Sequence, residues 1–183
     1  MRTTRPRSLL VDAVIVIKAH ELDVWQLLCQ NYRVVVPSIV LTIEAEWHRL
    51  PGHEQPFDIL LGQQIKDGLI EKWEADAADI INLVAHFDRV FRESLDPGES
   101  EALALLKRHP EADIHFCTAD GPAIQALSMV DMAERGISFE EALRLIGQNK
   151  TFGRKDHHFT ERFFQERLVR GHQRRMTGEG LRA

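Results

Sequence analysis

The feature that most restricts the fold of this chain is an alternation. Four short apolar runs, each bounded by turn residues, are separated by stretches of helical patterning. The runs are Leu9-Leu10-Val11, closed by Asp12; Tyr32 to Val36, closed by Pro37; Leu69 to Trp73; and Ile114 to Thr118. Their length and branched side chains read as buried strands. Helical patterning follows around Asp23 to Cys29 and again from Ser38, which would cap a helix carrying Ile39, Val40, Ile43 and Trp47 on one face. Residues 51–57 read as a loop. Two helices are expected over about 77–91 and 98–109, the second stopped by Pro110. A further helix follows Asp120 to about Glu134, with Gly136 as its stop. Ser138 and Glu141 fit a capping box opening one more. Strands alternating with helices predict an α/β fold: a mainly parallel sheet covered on both faces.

Length and composition narrow the class. With 183 residues, 44% apolar and 28% charged, the chain suits one globular domain and excludes a disordered or collagen-like one. Cys29 and Cys117 are too few for a disulfide scaffold and read as thiols in a reducing compartment. The apolar run Leu9–Ile17 is far shorter than the roughly 20 residues of a membrane helix, and Asp12 interrupts it. Arg2, Arg5 and Arg7 precede it, but no small-residue cleavage site follows. The expectation is a cytoplasmic protein without a membrane span. Neither G-x-G-x-x-G nor a P-loop occurs, so dinucleotide-binding and P-loop readings lack their phosphate cradle.

The net charge of −5 divides into three segments. Residues 1–7 form a basic arm of +3, residues 8–148 an acidic body of −13, and residues 149–183 a basic tail of +5. The tail interleaves arginines with Phe152, Phe159, Phe163 and Phe164. That mixture suits phosphate contact with base stacking, and it equally suits an amphipathic helix whose Phe face packs on the body. The nucleic-acid reading names Arg154, Lys155, Arg162, Arg170, Arg174 and Arg175. His157 and His158 are neighbours whose side chains point apart on a helix, and both read as surface residues.

In parallel sheets, functional groups collect beyond the carboxyl ends of strands. Asp12 and Asp120 fall there. Glu44 lies on the helix after the second strand, with Glu46 as its rival. Asp96-Pro97-Gly98-Glu99 reads as a helix start with Asp96 as N-cap and Glu99 at N3, which leaves Glu101 freer to face a cleft. Gathered together, these acids are hard oxygen donors for Mg²⁺ or Mn²⁺, and a divalent cation relieves their mutual repulsion. Each also has a plain structural use: Asp12 as a turn residue, Asp120 as a helix cap, Glu44 as a solvated side chain.

Four pieces in this order resemble the PIN-domain nucleases, VapC-type toxins among them. These are Leu9-Leu10-Val11-Asp12, the stretch Val36-Pro37-Ser38 to Glu44, Pro97-Gly98-Glu99-Ser100-Glu101-Ala102, and Thr118-Ala119-Asp120. The resemblance covers roughly residues 8–135. It implies a three-layer α/β/α sandwich and a Mg²⁺- or Mn²⁺-dependent endoribonuclease; the tail beyond 150 has no counterpart in the family and is expected, from its own pattern, to be a C-terminal helical extension. Asp12, Glu44, Glu101 and Asp120 would be its catalytic acids, with Asp12, Glu101 and Asp120 on the metal and Glu99 an accessory ligand. It further implies RNA as substrate, an antitoxin protein as partner and a homodimer. Gly121-Pro122-Ala123 stands where the family often has a further acid. That departure keeps a second expectation open: a catalytically weak or inactive scaffold that binds RNA or a protein. A haloacid-dehalogenase-type phosphatase is disfavoured, because Val14 stands where that chemistry needs an acid.

Overall fold

The computed structural model describes residues 8–44, 47–48 and 57–182, the side chains from 43 to 58 excepted. The arginine arm, Glu46 and most of the expected loop at 51–57 lie outside the described residues. Five strands form one all-parallel sheet: β1 (Ser8–Val11), β2 (Arg33–Pro37), β5 (Glu71–Trp73), β6 (Ile114–Cys117) and β7 (Gly136–Ile137), in the order β5-β2-β1-β6-β7. Two further strands, β3 (Trp47–His48) and β4 (Phe57–Asp58), pair antiparallel apart from it. Trp47 therefore sits in a strand and not on the expected helix.

Alternate residues of the central strands face opposite ways, as a pleated strand requires. Leu9, Val11, Val34 and Val36 join one apolar cluster, with residues of α1 (Ala13–Glu21), α2 (Trp25–Asn31) and α8 (Phe139–Leu145). Leu10, Val35 and Phe116 join the other, with α4 (Ala77–Val84), α6 (Pro97–Arg108), α7 (Gly121–Met129) and α9 (Glu161–Thr177). Both faces of the sheet are thus covered. The short α3 (Leu61–Lys66) and α5 (Arg89–Arg92) complete the helices.

Several elements differ from the sequence expectation, each for a local reason. Val14, Ile15, Val16 and Ile17 favour strands by intrinsic propensity. They nevertheless form α1, because Asp12 caps the helix through Ile15 N–H at 2.9 Å and burial of Ile15 and Val16 outweighs propensity. The helix expected over 77–91 breaks after Val84 and restarts at Arg89, where the Asp88 carboxylate accepts from Phe91 N–H. After Ser38 the backbone winds into a π-helical turn, Val40–Glu44. The helix expected to reach Glu134 ends at Met129, and a two-residue strand, β7, precedes α8. Ser138 does cap α8, accepting from Glu141 N–H at 3.0 Å.

The tail folds back onto the body. Phe159 and Phe164 are buried, so neither ring is open to a base. A Cβ on Gly171 would fall 2.3 Å from the Gln125 carbonyl oxygen, so only glycine lets α9 lie this close to α7. Both cysteines are free thiols. No helix among the described residues is long and apolar enough to cross a membrane.

Candidate functional site

At the carboxyl ends of β1 and β6 lies a cleft of about 400 Å³, lined by Asp12, Asp96, Glu99, Asp120 and His158 together with Ala13, Val14, Ile17 and Ala119. Its acids arrive by one recurring device. Three helices begin at the cleft, and the aspartate before each is its N-cap: Asp12 for α1, Asp96 for α6, Asp120 for α7. Capping and cleft-lining are therefore the same job here. The positive ends of three helix dipoles offset part of the repulsion among the carboxylates.

Each carboxylate is held. Asp12 is buried; one oxygen accepts from Ile15 N–H and the other from the Thr118 hydroxyl. The Thr118 hydroxyl also accepts from Asp120 N–H at 3.1 Å, tying the ends of β1 and β6 into one unit. Asp120 accepts from Ala123 N–H at 2.9 Å. Glu99 closes a capping box by accepting from Asp96 N–H at 2.9 Å.

Burial pushes the Glu99 carboxyl up to about 9, and the negative charges of Asp120 and Asp12 add to the rise. Glu99 is hydrogen-bonded to Asp120. Burial raises Asp120 as well, but Ala123 N–H, the Glu99 bond and the nearby Arg167 guanidinium pull it back. Glu99 is the more buried of the two.

The structure redistributes the expected acids. Asp12, Asp120 and Glu99 meet in the cleft, and Asp96, read only as a cap, joins them. Glu101 does not line it. Its oxygens accept from the Ser38 hydroxyl at 2.7 Å, Ile39 N–H at 2.9 Å and Ala75 N–H at 3.1 Å. Residues two apart on a helix lie on opposing sides, so Glu99 and Glu101 cannot serve one cleft. Glu101 instead clips the end of β2 to the chain after β5, and Ser38 donates to it where a cap was expected. Glu44 ends the π-helical turn, and its side chain lies outside the described residues.

Four of the six basic residues expected to contact nucleic acid are ion-paired. Arg162 pairs with Glu166, Arg170 and Arg174 with Glu179, and Arg175 with Asp131. Arg154 and Lys155 are exposed on the 3-10 segment Arg154–Phe159. The two histidines do point apart. His157 meets the edge of Phe163, whereas His158 turns into the cleft, its pKa lowered by burial and by His157. His158 and Arg167 were not marked by any local signal, since only the folded-back tail brings them to the acids.

The donor set is chemically suited to a hard divalent cation. Among the described residues, however, no three His, Cys, Asp or Glu side chains already stand as an ion-holding group. Comparison with protein-family models, with curated proteins and with solved structures found no match for this chain.

Proposed function

We propose that this chain is a PIN-like α/β/α sandwich acting as a divalent-metal-dependent endoribonuclease. The observation that carries the reading is the meeting of Asp12, Glu99 and Asp120, with Asp96, in one cleft at the carboxyl ends of two adjacent parallel strands. Buried acids this close hold a proton at neutral pH unless a cation replaces it. Asp12, Glu99 and Asp120 would hold Mg²⁺ or Mn²⁺. The chemistry supplied at such a centre is polarisation of a phosphate oxygen and a lowered pKa for bound water. The protein's own part is preorganisation. Ile15 N–H and Thr118 fix Asp12, Ala123 N–H fixes Asp120, and Glu99 gives up its proton on loading. An antitoxin that enters the cleft and a homodimer belong to the same proposal by family resemblance alone.

The raised carboxyls of Glu99 and Asp120 favour a second reading, a PIN-like scaffold that binds RNA or a protein without cutting it. RNA cleavage in Mn²⁺ by the wild type, Asp12→Asn and Asp120→Asn decides between them. The nuclease reading expects at least a hundredfold loss in both variants. Equal activity in all three proteins means a contaminant, and no cleavage by any leaves the scaffold.

A further inference from the structure

Helix α9 runs in the same direction as α7. Arg167 lies against Gly121, Gly171 against Gln125, and Arg175 pairs with Asp131, so the contacts advance together from the cleft outward. The backbone contact at Gly171 fixes this register. Arg167, one turn before it, must therefore sit over the first residue of α7, directly after Asp120. The Arg167 side chain packs directly on this residue: a Cβ on Gly121 would stand 3.4 Å from its Nε, in ordinary van der Waals contact. Its guanidinium lies 4.7 Å from the Phe163 ring centroid. Its charge is felt by Asp120, yet no ion pair forms between them.

The other four arginines of α9 are engaged with Glu166, Glu179 or Asp131. Arg170, Arg174 and Arg175 also lie toward the far end of α7. That nine-residue helix is roughly 13 Å long, which takes Arg175 well away from the cleft. Arg167 alone on α9 combines an immobilised back, no ion pair among the described residues and a position beside Asp120, which lines the cleft. A planar fork held on an aromatic ring is the arrangement that receives phosphate oxygens in two parallel hydrogen bonds. An acidic cleft that takes a polyanion needs such a cation beside any metal.

We infer that Arg167 is the phosphate-binding residue of the cleft, holding the RNA backbone beside Asp12, Glu99 and Asp120. This rests on the nuclease reading for the reaction, but its test is binding. A short fluorescein-labelled single-stranded RNA is titrated in millimolar Ca²⁺ against wild type, Arg167→Ala, Arg167→Lys and the charge-matched control Arg89→Ala, at several salt concentrations. Arg167→Ala is expected to weaken binding roughly tenfold or more and to reduce the slope of log K against log salt by about 0.7. Arg167→Lys should keep the slope and lose most of the affinity, since a point charge replaces the fork. Arg89→Ala, on the exposed α5, should match wild type. Mn²⁺ binding by calorimetry should persist in Arg167→Ala, which separates phosphate binding from a damaged acid cluster. Wild-type affinity and slope in Arg167→Ala would overturn the assignment even if the protein cleaves RNA. A wild type that binds RNA without cleaving it removes the nuclease reading while the variants still decide Arg167. Failure of the wild type to bind RNA overturns both.

Discussion

Glu99 is where the chemistry of the cleft concentrates in one side chain. Its ordinary value is 4.5 and the folded protein holds it near 9. Below about pH 4.5 both folded and unfolded chains carry the proton, so this group leaves stability unchanged there. Between about 4.5 and 9 the folded chain binds more protons than the unfolded one, and stability falls as pH rises. Glu99→Gln imitates the protonated acid: its amide oxygen accepts from Asp96 N–H and its NH₂ donates to Asp120. The melting temperature of Glu99→Gln in EDTA should therefore exceed the wild type by several degrees at pH 8 and equal it at pH 4. A wild-type advantage at pH 8 would show that Glu99 is ionised. Asp12 and Asp120 were legible because a strand end names its own position. A capping role for Asp96 and Glu99 points to Glu101 for the cleft only if capping excludes cleft-lining, whereas in this chain the caps are the lining. His158 and Arg167 are illegible because the acids they approach, at the ends of β1 and β6, lie in distant parts of the chain.

Elements tell a parallel story. Four strands were readable from their bounded apolar runs, and α6 from its Asp-Pro-Gly-Glu start, because local chemistry and tertiary demand agree there. α1 was not, since its β-branched residues argue for a strand and only the cap and the core make it helical. β7 was hidden because two residues carry no periodicity. The contact between α7 and α9 depends on an even smaller signal, one absent side chain at Gly171. Gly171→Ala gains helix propensity of up to about 1 kcal/mol, but its methyl would meet backbone at 2.3 Å, which does not yield as a side chain does. The net result should be a loss of about 1–3 kcal/mol, read as a melting temperature lower by roughly 2–12 °C. RNA binding should weaken with it, because the seat of Arg167 moves. An unchanged melting temperature would mean that α9 is not held in this register.

For the whole molecule, cation binding and proton release are one equilibrium. A divalent ion that binds only the folded state, at 100 times its dissociation constant, adds about 2.7 kcal/mol, or roughly 5–10 °C for a chain of this size. Because the ion competes with the Glu99 proton, Mn²⁺ should raise the melting temperature more at pH 8 than at pH 5. Calorimetry run in two buffers of different ionisation enthalpy should register the released proton. No stabilisation at millimolar Mn²⁺ at either pH would remove the metal from the account. The division of net charge read from the sequence is unaffected by most of the tail's ion pairs, because Glu166 and Glu179 lie in the tail and already count in its +5, whereas Arg175 pairs with Asp131 of the body.

The bond between Thr118 and Asp12 spans 106 positions of chain, and the seat of Arg167 needs Gly171 in place as well. A ribosome adds about 5–20 residues per second, so the first acid waits several seconds before its partners emerge. Throughout that interval the half-made polypeptide has no assembled cleft.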